Sequence, residues 1–158
     1  MLREIVSDAF RNQTIAEVAL EKANKRPEQE IIFHENEPAI KISSIVEEAG
    51  CLANSLRRLG MIAGDVISFQ LPSWREAVAI DLAASILGLV VNPIIPIYRE
   101  KELKFILNDA NTKLLFIPEK FRSTNYQEMI GSIRSSLPNL EHVIVVRGAG
   151  NSQQPSYE

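Results

Sequence analysis

Hydrophobic positions change period along this chain, and the changes mark its elements. Ile45, Ala49, Leu52, Leu56 and Leu59 recur at alternating steps of four and three residues, the one-sided stripe of an amphipathic helix. Arg57 and Arg58 suit the negative end of that helix, and Gly60 stands where a left-handed cap belongs. Past Gly60 the apolar residues close up into short continuous runs at 66–71, 89–95, 113–117 and 142–146, with helical stretches at 77–87, 99–110 and 125–137 between them. Apolar strands without polar alternation, separated by helical crossovers, predict an α/β fold. Its sheet should be mostly parallel, with helices on both faces and right-handed crossovers. The stretch 77–87 has only Asp81 and Ser85 as polar interruptions, which predicts a helix buried on most sides.

The boundaries carry their own signals. Thr14-Ile15-Ala16-Glu17 has the spelling of a capping box and opens a helix that should end near Lys25, before Pro27. Ser44-Ile45-Val46-Glu47 and Ser73-Trp74-Arg75-Glu76 have the same spelling. Short strands at 31–33 and 39–42 flank the polar turn Glu35-Asn36-Glu37-Pro38 and predict a short N-terminal hairpin. Residues 147–158 hold no apolar run and read as a polar, disordered linker. The expected organisation is one folded unit over 1–146 followed by that linker over 147–158.

Composition narrows the function. The chain has 158 residues, 46% hydrophobic and 23% charged, enough for one core. Seventeen basic and twenty acidic side chains give a net charge of −3 and a pI near 5.5, without the basic excess of a nucleic-acid binder. The longest apolar run, 77–96, is broken by Asp81, Gly88 and Asn92, and the opening Met-Leu-Arg-Glu-Ile lacks a secretory pattern. These features predict a soluble, cytoplasmic protein with no transmembrane segment. Cys51 is a lone cysteine, so neither an internal disulfide nor a zinc cage is expected. The seven glycines form no G-x-G-x-x-G and no G-x-x-x-x-G-K-S/T, and G-x-S-x-G and H-E-x-x-H are also missing. His34 and His142 border strand-like runs with no acid or cysteine at ligand spacing and read as strand-end residues. No catalytic residue, metal ligand or bound cofactor is expected within the chain itself.

Gly64-Asp65-Val66-Ile67-Ser68-Phe69-Gln70-Leu71-Pro72 resembles the N-terminal region of the adenylate-forming acyl-CoA synthetases, whose members carry G-D-x-V-x-x-x-x-P-N before an apolar helix. Ala53-Asn54-Ser55-Leu56-Arg57-Arg58-Leu59-Gly60 is similar to the family's A-x-x-L-x-x-x-G helix. Gly88-Leu89-Val90-Val91-Asn92-Pro93 and Tyr98-Arg99-Glu100-Lys101-Glu102-Leu103 are similar to its G-A-V-x-x-P-L-N-P…E-L stretch. The wording Pro96-Ile97-Tyr98-Arg99-Glu100 leans toward the branch acting on medium-chain or alicyclic acids. The resemblance covers 14–146 and implies the first subdomain of the synthetase N-terminal domain. In full-length members it implies ATP, magnesium and coenzyme A as cofactors. ATP and a carboxylate give an acyl-adenylate and pyrophosphate, and the coenzyme A thiol then displaces AMP. The family's phosphate loop, S/T-S-G-T-T-G-x-P-K-G, should follow the strand at 142–146 across a polar linker. That loop, the aromatic-G-x-T-E segment, the ribose-binding Asp and the catalytic Lys domain have no counterpart in these residues. The resemblance thus implies an N-terminal fragment of an AMP-forming synthetase, inactive alone. A split gene or expressed fragment explains it, as does a free-standing remnant.

Two side chains are candidates for a weak role. Trp74, just past a central strand, would either border an acyl tunnel or fill core space. Arg99 opens the helix after Pro96; on the resemblance it lies near the coenzyme A entrance, and otherwise it is a solvated surface group. Asp81 in an apolar helix needs a structural hydrogen bond if buried. Asn92-Pro93 should end a strand. The competing class is a non-catalytic binding or interaction module on a synthetase-like or flavodoxin-like scaffold. A phosphoryl-accepting receiver would want acids where the chain reads Gln70-Leu71-Pro72-Ser73, and a flavin module would want a phosphate loop there. The expected partner is the remainder of a synthetase, or a second copy through an uncovered apolar face, and not a nucleic acid.

Overall fold

Thr14 opens the first helix as its spelling predicts. In α1 (Ile15–Lys25) the Thr14 hydroxyl accepts from the Glu17 amide at 3.2 Å, and the Glu17 carboxylate accepts from the Thr14 amide at 2.7 Å. The computed structural model describes residues 12–34, 37–148 and 156–157. Turn residues Glu35 and Asn36, and 149–155 and 158 of the expected linker, lie outside the described residues. An antiparallel hairpin of β1 (Glu30–His34) and β2 (Glu37–Lys41) follows, as expected. The next helix, α2 (Ile42–Arg58), starts ahead of the predicted Ser44 cap, with Lys41 as N-cap and no capping side chain. Its first residues find other partners: the Ile42 amide donates to the Gln29 carbonyl at 2.9 Å, and the Ser43 hydroxyl donates to the Pro27 carbonyl at 2.8 Å. The loop before β1 therefore satisfies groups that a cap would otherwise serve.

From here strands and helices alternate: β3 (Val66–Phe69), α3 (Arg75–Leu87), β4 (Val90–Pro93), α4 (Glu100–Asp109) and β5 (Leu114–Pro118). A small antiparallel hairpin, β6 (Lys120–Phe121) with β7 (Thr124–Asn125), precedes α5 (Tyr126–Ile133), a 3₁₀ turn and β8 (His142–Val146). No sequence signal announces β6 and β7, because their two-residue turn uses Arg122, at φ 55°, in place of the usual Asn or Gly. The four main strands lie in the order β4-β3-β5-β8, and every pairing is parallel.

Alternation along the strands divides the core. Ile67, Phe69, Leu114, Phe116, Ile144 and Val146 pack with α2 and α3 on one face. Leu115, Ile117, Val143 and Val145 pack with α4 and α5 on the other. Helices thus cover both faces. Ser68, fully buried, hydrogen-bonds the Thr112 hydroxyl at 2.7 Å and accepts from Asn92 Nδ2 at 3.0 Å. This polar contact inside an apolar layer ties β4 and the turn before β5 to the central strand. Helix α3 buries Ala79, Ile80, Leu82, Ala83 and Ala84 but leaves Val78 and Ile86 partly in solvent. Asp81 in the same helix is half-buried, makes no hydrogen bond among the described residues, and its pKa is raised by desolvation. The predicted structural bond is not formed; half-exposure lets water serve instead. No helix among the described residues is long and apolar enough to cross a membrane.

At the amino end of the sheet the Gly64-Asp65 pair acts on the backbone. Gly64 adopts φ 90° and donates to the Gly88 carbonyl at 2.9 Å. One Asp65 oxygen accepts from the Ile62 amide at 3.1 Å and the other meets Lys113 Nζ at 2.6 Å. The Lys113 hydrogen bond, with help from the Ile62 amide, holds the Asp65 carboxyl below its usual pKa.

Candidate functional site at the carboxyl ends of the strands

The order β4-β3-β5-β8 contains a reversal. From β3 the chain crosses through α3, on one face, to β4; it then crosses through α4, on the other face, back over β3 to β5. The crossovers from β3 and β5 leave in opposite directions. Outside the carboxyl ends of two such strands lies the crevice where open α/β sheets bind ligands.

Gln70 stands at that point, fully buried. Its Nε2 donates to the carbonyls of Ile95 at 3.1 Å and Tyr98 at 3.0 Å, fixing the amide's orientation. Its Oε1 is buried with no partner among the described residues. The loop over it carries Ile95 and Ile97, 57% and 71% exposed, which line a shallow hollow of about 320 Å³ with Leu71, Pro72, Phe121 and Arg122. A buried acceptor without a partner among the described residues thus lies beneath exposed apolar groups.

The candidate Trp74 sits beside this hollow as the N-cap of α3. Its ring packs against the core, meets the Phe121 ring edge-on at a centroid distance of 6.1 Å and lies 4.5 Å beneath the Arg147 guanidinium. Ser73 makes no capping bond, so the third predicted capping box is not formed. Glu76 turns instead to Arg147, with Nε to Oε1 at 2.8 Å, and lies 3.8 Å from Arg75 Nε. Arg75 reaches Glu48 at 2.8 Å, and the other Glu48 oxygen accepts from the Tyr157 hydroxyl at 2.9 Å. Burial first, then the Glu48 charge and hydrogen bond, push the Tyr157 pKa up. Tyr157 also donates its amide to the Val145 carbonyl, and Ser156 bridges to Val145 in parallel register. Two positions of the expected linker therefore lie against β8.

Arg99 is not part of this cluster. It is the N-cap of α4, its guanidinium donates to the carbonyls of Pro96 and Tyr98 at 2.8 Å each, and it lines a separate hollow with Ser123, Thr124, Asn125 and Glu128. The β6–β7 hairpin stands between the two candidates, with Phe121 toward Trp74 and Thr124 toward Arg99. Both histidines stand at strand ends and Asn92-Pro93 ends β4, as read from sequence. Glu76, Arg147, Glu48 and Tyr157 were not legible as a group: the Glu76–Arg147 pair joins residues 71 positions apart. In the sequence Glu76 is accounted for by the capping box it spells with Ser73, so nothing there points to Arg147.

These groups do not compose a triphosphate cradle. Among the described residues no three His, Cys, Asp or Glu side chains gather to hold a metal ion, and Gly148 follows Arg147 without a glycine-rich loop of the phosphate-binding kind.

Comparison with known proteins agrees with the topology. A medium-chain fatty-acid–CoA ligase of Escherichia coli (strain K12) is 32% identical over 133 residues, covering 84% of this chain and 24% of that protein. A human mitochondrial medium-chain acyl-CoA ligase is 24% identical over 132 residues, covering 82% of this chain and 21% of its own length. The crystal structure of an anthranilate CoA ligase in complex with anthranoyl-AMP superposes with a TM-score of 0.84, 21% identity, and coverage of 96% of this chain and 28% of that one. This chain spans about a quarter of the length of the curated relatives it matches. Residues 20–158 match the family described as AMP-binding enzyme, and the chain belongs to that family.

Proposed function

We propose that this chain is the first structural portion of an AMP-forming acyl-CoA ligase acting in the cytoplasm on medium-chain or alicyclic carboxylic acids. Its part is to carry the remaining portions of such an enzyme, and by itself it makes no acyl-adenylate. The 32% identity over 133 residues to a medium-chain ligase carries the reading, and the spelling Pro96-Ile97-Tyr98-Arg99-Glu100 supports the choice of acid. The lack of any phosphate loop in the sequence supports inactivity in isolation. Adenylation needs a clamped triphosphate and preorganised donors at the developing charge. ATP, magnesium and coenzyme A would be held by residues outside this chain. The exposed Ile95 and Ile97 would face those portions, or a second copy where they are missing.

A chimera tests this reading. The chain replaces the matching first quarter of the Escherichia coli relative, and carboxylate-dependent ATP–pyrophosphate exchange is measured with octanoate, cyclohexanecarboxylate and benzoate. The chimera is expected to exchange best with octanoate or cyclohexanecarboxylate, while the 158-residue chain gives the no-acid background. Exchange by the isolated chain, or a folded chimera without exchange, would contradict the proposal.

A further inference from the structure

Glu76 is charged, only 4% exposed, and one of its oxygens is buried without a partner among the described residues. A buried carboxylate with an orphan oxygen costs stability, and an apolar residue would serve the packing of α3 better. Its other oxygen shows what is gained. Arg147, the first residue past β8, is a non-glycine held at φ 54°, a left-handed conformation that side chains disfavour. The Glu76 hydrogen bond at 2.8 Å and the stacking over Trp74 at 4.5 Å are among the contacts that hold it there. Its neighbour Gly148 lies so close to Glu119, just past β5, that a Cβ would overlap the Glu119 side chain. The turn is thus wedged between the end of β5 and the start of α3.

We propose that Glu76 is a positioning residue. Through Arg147 it fixes the turn, Arg147 and Gly148, in which the chain leaves β8 at the carboxyl end of the sheet. The functional consequence rests on the ligase reading, because that is the end where the reading places the nucleotide chemistry. A plain stabilising ion pair would not require strained backbone on one partner and an unserved buried oxygen on the other. The Glu48–Tyr157 contact is a second tie, joined to Glu76 through Arg75, and it acts on Tyr157.

Limited trypsin digestion of the 158-residue chain reads this directly, with Arg122 as an internal reference. Arg122 is also left-handed and lies in the exposed β6–β7 turn, stacked on the Phe121 ring. Glu76→Ala should raise cleavage after Arg147 relative to Arg122 by roughly tenfold, the worth of a charge-assisted hydrogen bond expressed as an open-state population. Glu76→Gln, which keeps an acceptor, should fall between, and Glu48→Gln should leave the ratio unchanged. If Glu76→Ala does not fold, Arg147→Lys keeps both the trypsin site and α3 intact and should raise the ratio in the same direction. An unchanged ratio, or cleavage rising equally at both sites with a lower melting midpoint, overturns the proposal. In the exchanging chimera, Glu76→Ala should raise KM for ATP several-fold and leave KM for the carboxylate in place; equal rises in both overturn it. A chimera that fails to exchange before any substitution defeats the ligase reading, and the cleavage ratio then decides the role of Glu76 by itself.

Discussion

The two ends of the central sheet are built to different standards. At the amino end the polar groups are matched: Gly64 meets Gly88, both Asp65 oxygens are used, and the Lys113 amide and carbonyl join β3 to β8. At the carboxyl end, a few residues further along the same strands, Gln70 Oε1 and Glu76 Oε2 are buried without partners among the described residues, Arg147 is strained, and Ile95 and Ile97 stand in solvent. The phrase Gly-Asp, which carries much of the family resemblance, belongs to the first end and is scaffold. The second end is where the proposed function places ligand or further chain. A motif can therefore identify a family while lying far from its chemistry.

Substitutions should separate the ends clearly. Leu114→Ala, at a fully buried position near the amino end of β5, should lower unfolding free energy by about 2–5 kcal/mol in urea. Ile97→Ala, at the carboxyl end, should change it by no more than about 0.5 kcal/mol. Equal losses would erase the contrast. Next in size, Gly64→Ala should cost about 1–2 kcal/mol, because an alanine must adopt φ 90° there although its Cβ meets nothing. A neutral result would mean that the turn relaxes without harm.

The smaller effects concern protons. Asp65 is held below its ordinary pKa in the folded state, so its contribution is present above the unfolded carboxylate value and is lost as pH falls through the lowered folded one. Asp65→Asn should flatten that part of the acid denaturation curve. Tyr157 is raised, so its contribution is present below the ordinary tyrosine value and is lost as pH rises toward the folded one. Phenolate absorbance should show a component titrating above the ordinary tyrosine range, and Tyr157→Phe should remove that component. A late component that survives Tyr157→Phe unchanged would break the Glu48–Tyr157 contact.

Much of the fold was legible because it rests on local pattern. The continuous apolar runs mark the four strands, and the four-three spacing from Ile45 marks α2. The capping boxes were less secure, since the same spelling is used at Thr14 and bypassed at Ser44 and Ser73. Whether a serine caps depends on what the preceding loop brings near, as the Pro27 and Gln29 carbonyls show for α2. At the candidate site, the sequence places Trp74 just past the strand that ends at Phe69, and the structure has it there as the N-cap of α3. Arg147, which stacks on it, and the pairing of Arg147 with Glu76 were out of reach, because their meeting depends on strand order. Arg99 lay in a plausible position by sequence but is occupied with carbonyls of its own turn.

Amide hydrogen exchange tests the contrast between the ends most directly, since it reads local opening residue by residue. The hydrogen-bonded amides of Gly64, Val90, Lys113 and His142, at the amino end, should exchange only through global unfolding. Those of Trp74, Tyr98 and Tyr157, at the carboxyl end, should exchange through smaller openings, and so faster, although each also donates to a backbone carbonyl. Equal protection at both ends would contradict the contrast.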